Sequence, residues 1–283
     1  MRIDVYLCEH GYFKTRSKAN LAIKAQAVYV NDKLVTKAGF LVNDGDKITI
    51  AKETDRYVSR GGYKLEAAIK AFNLDFSNKN VLDIGASTGG FTDCALKHGA
   101  AFVYSVDVGS DQLDEALRCN PKVKNMEKNN ILDTNITDRI DFIVMDVSFV
   151  QIKNMIPALL KYATTTNQMI ILIKPQFEVG KIFLKNGIVK DSKMHLRVLE
   201  NVDEILRENG IYIHKCIPSP ILGGSGNKEF LAYCSLNASP SLSFKELIWF
   251  SKKWAILDDC PFFLVKIKNM WYDFNSYFGG IKC

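Results

Sequence analysis

Apolar positions recur with two different spacings along this 283-residue chain. Beyond residue 80, short runs of Val, Ile, Leu and Phe alternate with longer stretches whose apolar residues fall three and four apart. These are the marks of buried strands and of amphipathic helices. The pattern predicts a strand, a tight turn and a helix across Val81–His98, the helix opening at Phe91. Strands follow at Phe102–Asp107, near Val123, and at Asp141–Asp146, Met169–Ile173, Ile211–Cys216 and Glu229–Cys234. Helices follow at Gln112–Leu117, Ile152–Tyr162 and Asp191–Arg207. Ahead of the first strand, Tyr63–Phe72 carries Leu65, Ala68, Ile69 and Phe72 on one side of a helix. Strands separated by helices imply an α/β fold, a doubly wound and largely parallel sheet with helices on both faces. Ligands of such sheets sit beyond the carboxyl ends of the strands, so the chemistry is expected there.

The first fifty residues read as a small separate unit. Arg16–Lys24 has helical spacing, with Ala19, Ile23 and Leu21 or Ala22 turned inward and Arg16, Lys18 and Lys24 outward. Asn31-Asp32 is a hairpin turn between Val28–Val30 and Leu34-Val35, and Gly45 breaks the chain before a last short strand. Residues 51–58 are polar and charged, and Ser59-Arg60-Gly61-Gly62 is small and basic, as in a linker. The expected organisation is therefore 1–56 as the small domain, 57–62 as linker, 63–236 as the α/β domain and 237–283 as an aromatic-rich extension. The extension opens on Ser239-Pro240-Ser241 and holds Trp249, Trp254 and Trp271. A partner surface, a membrane-lying helix and a hydrophobic brace are the readings open for it.

Composition narrows the classes. With 47% hydrophobic and 24% charged residues the chain is globular, and a net charge of +6 favours a polyanionic partner only mildly. Residues 1–60 hold 11 Lys or Arg against 7 Asp or Glu, the excess lying on the helix and turn. Cations on one compact face neutralise phosphates without reading bases, although a solvated helix face has the same composition. Seven scattered cysteines with no C-x-x-C, and no His at zinc-ligand spacing, point to a reduced, cytoplasmic setting and no metal. Charges at positions 2, 4 and 9 leave no secretory core at the N-terminus, and no run of 18 apolar residues predicts a membrane span.

The candidate chemistry lies at strand ends. Val81–Phe91 has the order G-x-S-x-G-G, which is neither a G-x-G-x-x-G nor a G-x-x-x-x-G-K-[ST] loop. Glycines there allow positive φ and close approach of a ligand to backbone N–H groups, but a plain βα turn reads alike. The strand ends supply Asp83, Asp107, Asp146 and Lys174. Asp107, one βα unit after the turn, can accept hydrogen bonds from a ribose diol or can simply be solvated. Lys174 ends the apolar run MIILIK, where a lysine needs a carboxylate partner or a function. Lys64 on the first helix and Glu229 at the start of the last strand complete a set of four, readable also as a structural ion-pair network.

Several stretches carry resemblances. The glycine turn resembles the first motif of S-adenosylmethionine-dependent methyltransferases. Arg2-Ile3-Asp4, Thr15–Ala19, Val28–Asp32 and Asn43–Asp46 resemble, in order, the RNA-binding module of a small-subunit ribosomal protein, pseudouridine synthases and tyrosyl-tRNA synthetases. Gln26 stands where that module usually has Gly. Lys64, Asp146, Lys174 and Glu229 resemble the K-D-K-E tetrad of FtsJ-type ribose 2'-O-methyltransferases. No D/N-P-P-Y/F tetrapeptide follows the fourth strand, and no cysteine ends the fourth or fifth, so amino-group and cytosine-carbon chemistries fall away. YVSRGGYKLEAA, VLDIGASTGGFTDCALKHGA, VDVGSDQL, DVSF, IKPQFEVG and SGNKEF together resemble the TlyA family, named hemolysins and ribosomal-RNA cytidine 2'-O-methyltransferases, over roughly residues 1–236.

That resemblance implies a Rossmann-like methyltransferase domain behind a small α+β RNA-binding domain, with S-adenosyl-L-methionine as cofactor and ribosomal RNA or a ribosomal subunit as partner. It implies Asp83, Gly85, Ser87, Gly89, Gly90 and Phe91 near the methionine end of the cofactor, Asp107 at its ribose and Asn130 near its adenine. Lys174 would take or polarise the hydroxyl proton beside Lys64, Asp146 and Glu229, while Arg2, Arg16, Lys18, Lys24 and Arg60 would meet RNA. The rival readings are an RNA-binding ribosome assembly factor on a methyltransferase-like scaffold, a membrane-active hemolysin, and a ribose methyltransferase acting on messenger cap or transfer RNA.

Overall fold

The computed structural model describes residues 1–13, 15–24, 27–43, 45–50, 56–223, 226–245 and 247–248, without the side chains of Ser17, Lys18, Leu21 and Lys24. The chain divides into two compact units between Arg60 and Gly61.

In the first unit, α1 (Ile3–Glu9) and α2 (Arg16–Lys24) accompany an antiparallel sheet of β1 (Val28–Val30), β2 (Lys33–Leu34) and β3 (Ile48–Ile50), ordered β2-β1-β3. Asn31 and Asp32 turn the hairpin with φ of 51° and 61°, the left-handed pair that a two-residue turn needs. The core is Ile3, Leu7, Ala19, Ala22, Ile23, Val28, Val30, Val35 and Val42, which makes Ala22 an inward position on α2. Gln26 lies outside the described residues. Helix α1 was not expected: only Ile3 and Leu7 mark its apolar face, because the third inward residue is Asp4. That carboxylate is 1% exposed and takes Arg16 at 2.6 Å and Arg2 at 3.0 Å. A charge buried there is tolerated because two guanidinium groups pair with it.

The second unit is a seven-stranded sheet with the order β6-β5-β4-β7-β8-β10-β9. It is built from α3 (Gly61–Phe72), β4 (Asn80–Ile84), α4 (Gly90–Lys97), β5 (Phe102–Val106), α5 (Glu115–Arg118), β6 (Val123–Met126) and β7 (Phe142–Met145). It continues through α6 (Ile156–Tyr162), β8 (Gln168–Ile173), α7 (Pro175–Glu178), α8 (Ser192–Glu208), β9 (Tyr212–Pro218) and β10 (Phe230–Ser235). Four neighbouring pairs are parallel, whereas β10 runs antiparallel to both β8 and β9. No helix separates β9 from β10, so the strand returns as a hairpin instead of a crossover. Helices cover both faces: α3 packs on α4, β9 and β10, while residues of α6 and α8 join Leu82, Ile143, Ile171 and Phe230 in the core of the other face.

Three boundaries differ from the expectation. Helix α3 starts at Gly61, so the last two linker positions are helical. Helix α5 is a single turn opened by Asp114, whose side chain accepts from Ala116 N, rather than a helix from Gln112. The extension is in part a brace: Phe244 and Ile248 are buried in the sheet core, Arg207 Nη1 donates to Ser239 O at 2.6 Å, and Ser241 Oγ donates to Asp203 at 2.6 Å. Residues 249–283, with all three tryptophans, lie outside the described residues.

Asp4 generates a prediction for the first unit. Hydrogen bonds from Arg16 and then Arg2 hold its carboxyl below the ordinary aspartate range. Its contribution is therefore present above the unfolded value near pH 3.9 and is lost as pH falls below it. Asp4→Asn should raise amide hydrogen exchange across α1 and α2 by about tenfold or more, equivalent to about 1.4 kcal/mol or more, while β4, β7 and β8 keep wild-type protection.

Candidate active site

The topology brings four charged side chains to one rim. Lys64 lies in the first turn of α3, Asp146 follows β7, Lys174 follows β8, and Glu229 immediately precedes β10. Because β10 is antiparallel and Phe230 is paired with Ile173, the entry to β10 lies beside the exit from β8. Lys64 Nζ is 2.6 Å from Glu229 Oε2 and 3.8 Å from Asp146 Oδ2, and Lys174 Nζ is 2.6 Å from Asp146 Oδ1. The order Glu229, Lys64, Asp146, Lys174 thus alternates in sign. Lys64, Lys174 and Glu229 are 7%, 8% and 3% exposed. Two ammonium and two carboxylate groups together have no net charge, which lets them share a poorly solvated site that none could occupy alone. Gly223 is part of the fit: a Cβ there would stand 2.3 Å from Glu229 Oε1.

The glycine turn backs onto this tetrad. Gly85 has φ of 81°, and a Cβ on it would lie 2.7 Å from the Asp146 carbonyl oxygen; only glycine permits that approach. Beyond it, Asp107 is tied to the turn, accepting from Ser87 N at 2.8 Å and from Gly109 N at 2.7 Å. Each carboxylate oxygen keeps a further lone pair, so a diol can still be accepted. Ser87 Oγ donates to Gln112 Oε1 at 3.1 Å, and the Gln112 amide lies against Gly109. Gly89, with φ of 93°, starts α4, and Gly90 is buried in its first turn. Asn130 is exposed beyond β6, its Oδ1 accepting from Leu132 N at 3.0 Å.

Two expected cofactor contacts are corrected. Asp83 is 0% exposed, because alternation along β4 turns it toward α4, where its Oδ2 accepts from Thr92 Oγ1 at 2.6 Å. Thr92 in turn meets Ser105 Oγ at 2.7 Å, so Asp83 braces the turn from beneath. Burial is the main reason that its pKa is pushed up to about 7; the Thr92 hydrogen bond opposes this and the charge of Asp146 adds to it. Phe91 is 3% exposed, its side chain in the core.

The candidate RNA contacts divide. Arg2 and Arg16 stay more than half exposed while each gives part of its guanidinium to Asp4, leaving further N–H donors outward. The side chains of Lys18 and Lys24 lie outside the described set, and Arg60, half-buried, ends the first unit. Sequence reasoning missed Ser148, whose Oγ accepts from Lys174 Nζ at 2.7 Å; its one signal was its place two residues after Asp146. Among the described residues no helix is long and apolar enough to cross a membrane.

The strand order with its antiparallel insertion, the glycine turn after β4 and the carboxylate ending β5 define a Rossmann-like methyltransferase. Residues 57–235 match the FtsJ-like methyltransferase family and residues 1–48 match the S4 domain. The chain belongs to the FtsJ-like methyltransferase family, in the TlyA group that carries an S4 domain ahead of it. It is 35% identical over 251 residues to the Mycobacterium tuberculosis 16S/23S rRNA (cytidine-2'-O)-methyltransferase TlyA, covering 87% of this chain and 94% of that one. It is 41% identical over 238 residues to hemolysin A of Brachyspira hyodysenteriae, covering 82% and 99%. A solved structure of a Streptococcus thermophilus protein bearing the name hemolysin superposes with a TM-score of 0.73 at 39% identity, over 92% of this chain and 98% of that one.

The two buried features make different predictions. Lys64→Ala leaves Glu229 buried without its cation and should lower stability by about 3 kcal/mol or more, read as a shifted unfolding midpoint. The folded form retains the Asp83 proton that the unfolded chain has released between pH of about 4 and about 7. Stability of the ligand-free protein should therefore fall as pH rises through that window, by a few kcal/mol at the order of magnitude. Asp83→Asn should flatten that fall in a series of thermal melts.

Proposed function

We propose that this chain transfers a methyl group from S-adenosyl-L-methionine to the 2'-hydroxyl of a cytidine ribose in ribosomal RNA, in the cytoplasm. The observation that carries the reading is the buried chain of alternating charges from Glu229 to Lys174, back to back with a glycine turn. The names borne by TlyA relatives from Mycobacterium tuberculosis and Campylobacter jejuni support the ribosomal and cytidine parts of it.

The residues present fit the cofactor. Ser87 is exposed at the turn that Gly85, Gly89 and Gly90 shape, Asp107 has lone pairs left for a ribose diol, and Asn130 lies exposed beyond β6 for a base edge. When bound, that group supplies an electrophilic methyl carbon and leaves with the carbon–sulfur electron pair. Lys174 does the proton work. Once it has given up its own proton, its amine, at the end of the row next to Ser148, takes the proton from the attacking ribose hydroxyl, and Asp146 stabilises the ammonium so formed at 2.6 Å. Lys64 and Glu229 hold Asp146 in place from the buried side. Proton removal of this kind contributes roughly 10²–10⁴ in rate, and alignment of the reacting atoms can contribute more. The exposed guanidinium groups of Arg2 and Arg16 suit phosphate contacts that hold RNA without reading its sequence.

Lys174→Ala should abolish methyl transfer, with a loss of at least about 10² in rate, while cofactor affinity by calorimetry stays within a few fold. Equal loss of both would assign Lys174 to folding. Mass mapping of ribose methyls on ribosomal RNA, with and without the protein, tests the substrate: unchanged cytidine 2'-O-methylation would sink the reading.

A further inference from the structure

Lys174 has a partner outside the tetrad. Its Nζ donates to Ser148 Oγ at 2.7 Å while standing 2.6 Å from Asp146 Oδ1. Lys64 answers to Glu229 and Asp146 alone among the ion pairs of the described residues. The two lysines thus differ: one is held only by carboxylates, the other by a carboxylate and an exposed hydroxyl. We infer that Ser148 is a positioning residue that aims the Lys174 amine at the ribose hydroxyl, an inference resting on the ribose-methylation reading above.

The argument is one of valence. In its base form a primary amine has two N–H bonds and one lone pair in tetrahedral array. Ser148 Oγ accepts one N–H of Lys174, and the negative charge of Asp146, an ion-pair neighbour at 2.6 Å, repels the lone pair, so the lone pair keeps one direction. The hydroxyl proton moves into that lone pair, the oxygen forms its bond to the methyl carbon, and the carbon–sulfur pair departs with sulfur, so charge and electrons balance. Without Ser148 the head of the side chain can turn about its terminal bond. One N–H then points where the lone pair should be for part of the time. Asp146 alone fixes a distance but not a rotation.

The backbone turns just past this hydroxyl. Phe149, the next residue, has φ of 64°, a left-handed conformation that an aromatic residue adopts only where the surroundings impose it. The reversal there turns the chain just past Ser148. The Phe149 ring meets Phe177 at 5.0 Å between centroids, and the Phe177 ring lies 5.9 Å from Lys174 Nζ. Lys174 is therefore enclosed by Asp146, Ser148 and Phe177, which restricts the approach of a substrate hydroxyl.

The test uses the full-length protein, its cofactor and ribosomal subunits from cells lacking this methylation. Ser148→Ala should slow single-turnover methyl transfer roughly tenfold or more, with cofactor affinity and melting temperature unchanged. Ser148→Thr, which returns the hydroxyl, should recover the rate to within about threefold. A second readout needs no turnover: acetylation of the Lys174 amine in the cofactor-free protein, followed by peptide mass, should be several-fold faster in Ser148→Ala and near wild type in Ser148→Thr. Wild-type rate and labelling in Ser148→Ala would overturn the inference and leave ribose methylation standing. Equal loss in both variants together with a lowered melting temperature would make Ser148 structural and overturn it too. Absence of any ribose methyl product from the wild-type protein would sink both proposals.

Discussion

The constraint on which the site depends is charge balance without water. Each of Lys64, Lys174 and Glu229 would be costly to bury singly, and their burial becomes tolerable only as a row of alternating sign with Asp146. A row of this kind is cooperative. Removing an inner member leaves a neighbour of one sign uncompensated. The function proposed above assigns the proton chemistry to Lys174, the end of the row bonded to Ser148, whereas Lys64 stands 2.6 Å from a carboxylate that is 3% exposed.

Strand direction is what makes the row geometrically available. In a wholly parallel sheet every strand would begin at the rim opposite the carboxyl ends, and a residue just before a strand could not meet one just after another. Inserting β10 antiparallel between β8 and β9 brings its first residues to the carboxyl rim. Glu229 gains its place that way, and α3, packed over β10, delivers Lys64 from above. The bare Cα of Gly223 leaves room for the glutamate oxygen. The departure from regular α/β winding and the assembly of the tetrad are thus one structural event.

How much of this could be read from the sequence follows from how local each signal is. Lys174 was legible because a lysine ending MIILIK contradicts its neighbours, and the glycine turn was legible as a strand–turn–helix, though a plain βα turn has the same composition. The direction of β10 was not, since an apolar run has the same pattern whichever way it points. Helix α1 was hidden because a paired aspartate occupies one of its inward positions, which breaks the apolar spacing that marks a helix. Asp83 and Phe91 adjoin the turn in sequence yet face the core, because alternation along β4 and the pitch of α4 decide orientation, and a motif does not encode which face is covered. Ser148 depended on a backbone reversal at Phe149 that no residue type announces.

Asp83 joins the two halves of the site. It stands one strand position from the turn, fully buried, hydrogen-bonded through Thr92 to Ser105, and with its pKa pushed up to about 7. Near neutral pH a carboxyl in that state is divided between a neutral form that burial favours and an anion that Thr92 favours. The anion also feels Asp146 across the sheet, which raises its pKa further. Reciprocity requires the converse: an ionised Asp83 repels the Asp146 carboxylate, which stands 2.6 Å from Lys174. A neutral Asp83 thus supports the glycine turn without opposing the tetrad, and the two halves can be assembled within one sheet because the acid between them can surrender its charge.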